Sequence, residues 1–303
     1  MITTPTVFVL GAGASVDFNF PVGKDLLQEV VEHLRSTTQI RDNVLASGFS
    51  AKEVDEFSDA LRFSAEWSID AFLEKRQAFM NIGKAAMAAE LILREQTERI
   101  FSMRGGVLNW MQYLVGRMQG PSFEAFAENK VTFVTFNYDR VLEHYLCTAL
   151  ENAWGKTQDE VGTLLRKMSI IHLHGQLGFL PWQSDRVDQI RAFETTLDPE
   201  RIRIAADGIK VVHEGIEDRR EQFDAAKAAI LAAQRTYLLG VGTGNVNLER
   251  LGQKDFPNAK VFATEVGLTQ VEHDDAHRRF TPRIEFRQDT DCRRPISNFV
   301  QWG

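Results

Sequence analysis

Cysteine is scarce in this sequence: Cys147 and Cys292 are the only two in 303 residues. Two lone cysteines exclude a disulfide framework and a four-cysteine zinc site. Usage this sparse fits a reducing compartment. The chain also lacks any uninterrupted apolar run near ~18 residues, so no membrane-spanning helix is expected. The run Val7–Leu10 has no basic segment before it and is too short for a signal peptide. Positive charge is in deficit as well, with 35 Lys and Arg against 42 Asp and Glu, a net −7. An acidic chain is a poor non-specific partner for nucleic acid, so direct nucleic-acid binding is not expected. No internal repeat or low-complexity linker interrupts the chain. These absences point to a soluble cytoplasmic protein, and a 44% hydrophobic share suffices for an ordinary core.

What is present is an alternation of strand and helix signals. Val7–Leu10 is a short apolar run stopped by glycine and reads as a buried strand. From about Lys24 to Gln119 helical spacing dominates. Leu26, Leu27, Val30, Val31 and Leu34 recur on one face, and Ile69, Phe72 and Leu73 repeat the pattern. Gly105-Gly106 breaks this block before one more helix around Leu108–Val115. β-branched and aromatic residues return at Val131–Phe136, followed by a helical stripe from Val141 to Ala149. Ser169–Leu173, Val211–His213, Tyr237–Leu239, Val261–Ala263 and Ile284–Phe286 are further strand candidates, and Phe223–Ala233 a further helix. The alternation implies an α/β fold: a Rossmann-like parallel sheet with helices on both faces and a large helical insertion after the first strand. Residues 1–303 read as one domain, with a helical subdomain at about 24–130.

In an open parallel sheet, ligands bind beyond the carboxyl ends of the strands. Five segments place glycine or polar residues there: Gly11–Ser15, Asn137, His174-Gly175, Gly240-Val241-Gly242-Thr243-Gly244, and Glu265. Gly11-x-Gly13 lets backbone N–H groups approach a pyrophosphate closely. The third small residue of the usual dinucleotide fingerprint falls on Val16, and no acidic residue ends a second strand ~20 residues later. A dehydrogenase reading is thereby weakened, and a tight turn without ligand stands beside the nucleotide reading. His172 and His174 sit two apart, so a strand would point both to one face. A His-x-His pair suits zinc, yet no third ligand lies near, so no metal is expected.

Four of these segments resemble, in order, the motifs of the sirtuin-like family. Gly11-Ala12-Gly13-Ala14-Ser15, with Pro21 and Gly23 after it, is similar to the family's opening nucleotide loop. Thr135-Phe136-Asn137-Tyr138-Asp139 is similar to its Asn-x-Asp motif. His172-Leu173-His174-Gly175 resembles its His-Gly motif, and Leu239-Gly240-Val241-Gly242-Thr243 its later glycine-rich loop. The likeness runs from about residue 5 to 175 and from 236 to 266, and would make the chain a single sirtuin-like catalytic domain.

The resemblance implies NAD as the substrate. Gly11, Ala12, Gly13, Ser15, Pro21, Gly240, Gly242 and Thr243 would bind it, with Asn137 and His174 catalytic near the nicotinamide ribose. Asn137 would position water or the ribose hydroxyls, and His174 would act as base or orient the ribose. Asp139 either supports the ribose or simply begins the next helix. Glu265 either holds the adenosine ribose or is a solvated loop carboxylate.

The family's deacetylases carry two Cys-x-x-Cys pairs on zinc, and this chain has none. The segment after Ser15 also departs from theirs. The sequence instead resembles the bacterial branch that cleaves NAD to nicotinamide and ADP-ribose in antiphage defence. The expectation is therefore a regulated NAD glycohydrolase, controlled by homo-oligomerisation or by a partner such as a HerA-like ATPase. A deacylase, an ADP-ribosyl transferase and a non-catalytic NAD- or ADP-ribose-binding scaffold are the alternatives.

Overall fold

The computed structural model describes residues 1–102, 109–211, 220–242, 246–252, 260–264, 274, 278 and 284–287. Strand β1 (Thr6–Leu10) leads through a 3-10 helix, Ala12–Phe18, into a helical block. The block holds α1 (Gly23–Arg35), α2 (Gln39–Ala46), α3 (Ala51–Arg62), α4 (Ile69–Lys75), α5 (Met80–Ile92), α6 (Thr97–Ile100) and α7 (Trp110–Met118). Then come β2 (Val131–Thr135), α8 (Val141–Trp154), α9 (Gln158–Leu165) and β3 (Ser169–His172). The remainder is α10 (Pro199–Gly208), α11 (Arg220–Ala232), β4 (Arg235–Leu239), α12 (Val246–Arg250), β5 (Lys260–Thr264) and β6 (Ile284–Arg287).

Every strand pair is parallel, and the order across the six-stranded sheet is β3-β2-β1-β4-β5-β6. Chain direction across the sheet therefore reverses between β1 and β4. That reversal opens the crevice in which doubly wound sheets bind ligands. The Rossmann-like α/β reading holds.

Strand alternation builds two cores. Phe8, Leu10, Phe133, Tyr237, Leu239 and Phe262 face the helical block and α8. Val7, Val9, Val134, Leu238, Val261 and Ala263 face α11 and α12, through Ala226, Ile230 and Leu248. Both sheet faces are covered, which explains the continuous apolar strands. On the first face, Phe133, Phe8, Tyr237 and Phe262 occupy one register row across four strands. Their rings stack at centroid distances of 5.6, 5.0 and 5.0 Å.

The helices start where local chemistry dictates. Ser50 and Thr157 form capping boxes with Glu53 and Glu160. Ser68, Asn109 and Asp198 cap α4, α7 and α10. The core of the helical block is continuous with the first sheet face. Helix α10, from far along the chain, packs on α5.

The turn after β1 is a 3-10 helix closed by Asn19 in the left-handed region (φ 72°). One local expectation differs from the structure. Val211 lies in no strand. The segment before it forms an isolated bridge between Gly175 and Ile209, with Lys210 N donating to His174 O at 2.9 Å, and positions 212 and 213 lie outside the described residues.

Candidate functional site

The loops after β1 and β4 meet at the strand reversal. Gly11 N donates to Leu239 O at 3.0 Å and Gly13 N to Gly240 O at 3.1 Å. Gly240 is left-handed (φ 61°), and a Cβ there would lie 2.1 Å from Ala14 N. These glycines first serve to bring two backbones into contact. Thr264, at the end of β5, accepts from Gly240 N at 2.8 Å. Trp110 of α7 donates its indole N–H to Ala14 O at 2.8 Å and pins the 3-10 helix from the other side. Gly242 is different: it is exposed, and among the described residues nothing lies within 4 Å of a Cβ placed on it. Thr243 and Glu265 lie outside the described residues. Ala12 opens the 3-10 helix and is half-buried. Pro21, also half-buried, leads into α1 with no hydrogen bond or ring contact to the site among the described residues.

Beside the first loop, Ser15, Asn137 and Asp139 form one connected set. The Asn137 amide nitrogen donates to Gly11 O at 3.0 Å and to Ser15 Oγ at 3.2 Å. A carbonyl only accepts, so Gly11 settles which end of the amide faces it. The Ser15 hydroxyl donates in turn to Asp139 Oδ2 at 2.7 Å. Asp139 Oδ1 accepts from Val141 N at 3.1 Å and so begins α8. With both amide hydrogens engaged, Asn137 Oδ1 remains. Among the described residues nothing donates to it. The site therefore presents a fixed hydrogen-bond acceptor. Burial raises the Asp139 carboxyl to about 6, against the opposing hydrogen bonds from Ser15 and Val141; Glu143 adds to the rise and His172 subtracts from it.

The two histidines part company. Strand β3 ends at His172, whose Nε2 meets Glu143 Oε1 of α8 at 2.6 Å. The chain then bends, and His174 lies among Phe136, Tyr138 and Phe223, at centroid distances of 5.7, 6.4 and 6.3 Å. The expectation that both share a face fails, because the strand stops between them. His174 is 3% exposed. Gly175 follows it at φ 71°, where a Cβ would lie 2.0 Å from Gly208 O. Burial lowers His172, but the Glu143 carboxylate and Asp139 more than offset this, so its imidazole is held above the usual value. Among the described residues no group of three metal-ligating side chains occurs.

Next to Asp139, Arg140 is fully buried. It forms two hydrogen bonds to Glu95, of 2.9 and 2.6 Å, and Arg191 adds a third at 2.6 Å. The two guanidiniums also donate to the carbonyls of Leu177, Arg191 and Ala192. This cluster ties the helical block, the entry of α8 and the loop after His174 into one frame. Tyr138 adds a hydroxyl donation to Asp70 of α4, whose carboxyl burial pushes upward.

Sequence reasoning missed Glu143, Thr264, Trp110 and the Glu95 cluster. One signal was available for Glu143. It is a lone carboxylate within the apolar stripe Val141, Leu142, Tyr145 and Leu146, one turn from Asp139.

Fold and site together define a doubly wound α/β protein with a polar notch at its strand reversal. Set against protein-family models and curated proteins, the chain matches none.

Proposed function

We propose that this chain is an NAD glycohydrolase of the sirtuin-like kind, cleaving NAD to nicotinamide and ADP-ribose. The observation that carries the reading is the Asn137 amide, fixed by Gly11 and Ser15 with its oxygen left as an acceptor at the crevice. Cleavage of this N-glycosidic bond passes through an oxocarbenium-like transition state, and nicotinamide leaves as a neutral base. Little acid assistance is needed. The protein must hold the ribose, align a water and accept its proton. Asn137 Oδ1 accepts a hydrogen from that water or from a ribose hydroxyl. His174 takes the proton as the water oxygen bonds to C1′ and the C1′–N bond breaks. Gly242, exposed and unencumbered, suits backbone approach to the pyrophosphate.

An NADase depletes its own host's NAD unless restrained. The reading therefore includes control in the cytoplasm by self-assembly or by a partner, such as a HerA-like ATPase, with antiphage defence as the setting. The test is nicotinamide release from NAD, followed by chromatography, for the protein alone and with cell lysate. The expected result is release that Asn137→Ala and His174→Ala each reduce by at least ~10²-fold. Release that survives both substitutions would sink the assignment.

A further inference from the structure

We propose that His172 is a positioning residue that, paired with Glu143, keeps that carboxylate from suppressing the ionisation of Asp139, and that Asp139, through Ser15, holds Asn137 in its working orientation. The inference rests on the reading of Asn137 as the site's acceptor and adds what controls it.

The hydrogen-bond chain runs one way. Asp139 Oδ2 accepts the Ser15 hydroxyl hydrogen, which turns a Ser15 lone pair toward the Asn137 amide at 3.2 Å. An ionised carboxylate only accepts, so it commits that hydrogen. A protonated carboxyl carries a donor of its own, and Ser15 is then no longer bound to one direction. Asn137 keeps its bond to Gly11 O and loses the second constraint on its amide.

The charges that act on Asp139 come from few places. The 3-10 helix brings Ser15, α8 brings the Val141 N–H and Glu143, and β3 brings His172. Arg140, next in the chain, is drawn away to Glu95. The His172 imidazole, 2.6 Å from Glu143, opposes that carboxylate's effect on Asp139. The pair itself is unusual. Glu143 Oε2 and His172 Nδ1 are both buried and without a hydrogen-bond partner. Each orphan costs desolvation free energy.

The test reads Asp139 and Asn137 directly, without substrate. Protein labelled with ¹³C at aspartate carboxyls and ¹⁵N at asparagine amides is titrated by NMR. Asp139→Asn and Asn137→Ala assign the two signals. In the wild type both signals should move with one midpoint near pH 6, and Asp139→Asn should abolish the Asn137 movement. His172→Gln leaves two carboxylates together and should raise the midpoint by about one unit or more. Adding Glu143→Gln removes the second carboxylate as well and should restore the wild-type midpoint. The proposal is overturned if Asn137 does not follow Asp139 in the wild type, or if the double variant keeps the raised midpoint. Either result leaves the NADase reading intact, and absent nicotinamide release leaves this proposal intact.

Discussion

Asp139 carries a carboxyl where burial works against its charge. Its folded-state value of about 6 stands against an ordinary 3.8. Between those values the folded protein binds more protons than the unfolded chain, so this contribution to stability falls as pH rises through that window. Above it, the ionised form is a standing cost of up to about 3 kcal/mol. Asp139→Asn removes the charge and still offers Ser15 an oxygen. The variant should gain about 1–2 kcal/mol on the wild type between pH 5 and pH 8, measured by urea unfolding at each pH. A difference that stays flat with pH would show that Asp139 does not titrate there. Stability lost to a buried charge beside a candidate catalytic amide is what a site held for function would display.

At the scale of elements, the aromatic row across β2, β1, β4 and β5 shows how a parallel sheet locks its register. Each ring sits opposite the next, so a one-residue slip would move it to the other face. The row contains one defect: the Tyr237 hydroxyl is buried without a partner, and burial pushes its ionisation strongly upward. Tyr237→Phe keeps the stacking and removes the orphan. It should raise stability by about 1 kcal/mol, read from chemical unfolding. A loss instead would mean that the hydroxyl holds a buried water. The same scale explains the glycine loops. Gly11, Gly13 and Gly240 are needed for two loops to touch, so the Gly-x-Gly signal by itself speaks for packing as much as for a ligand.

Across the whole molecule, Glu95 joins parts that lie far apart in the chain. It follows α5, pairs with Arg140 at the start of α8, and pairs with Arg191 in the loop that returns to α10. Replacing it leaves two buried guanidiniums without their anion. Glu95→Gln should destabilise the protein by roughly 3–5 kcal/mol in chemical unfolding, with loss of a single cooperative transition a further sign. A change under about 1 kcal/mol would show that the cluster is dispensable. Since Arg140 adjoins Asp139, damage to this frame should also reach the Asn137 network.

The sequence by itself determined the six strands of the sheet, their parallel arrangement, and the loops of Gly11, Asn137 and Gly240 at one sheet edge, though it also offered Val211, which lies in no strand. Apolar runs ending in glycine, asparagine or histidine carry that information locally. It also singled out Asn137 and His174 by their place after strands. It misjudged the His172–His174 pair, because where a strand stops depends on the neighbours that end its ladder. Only the tertiary structure decided that Gly240 packs against Gly13, that Gly11 fixes the Asn137 amide, and that Glu143 meets His172. Each of these joins residues separated by 29 to 227 positions in the chain. The physical reason is that a hydrogen bond or an ion pair is set by distance in space, while local propensity and periodicity act over only a few residues along the chain.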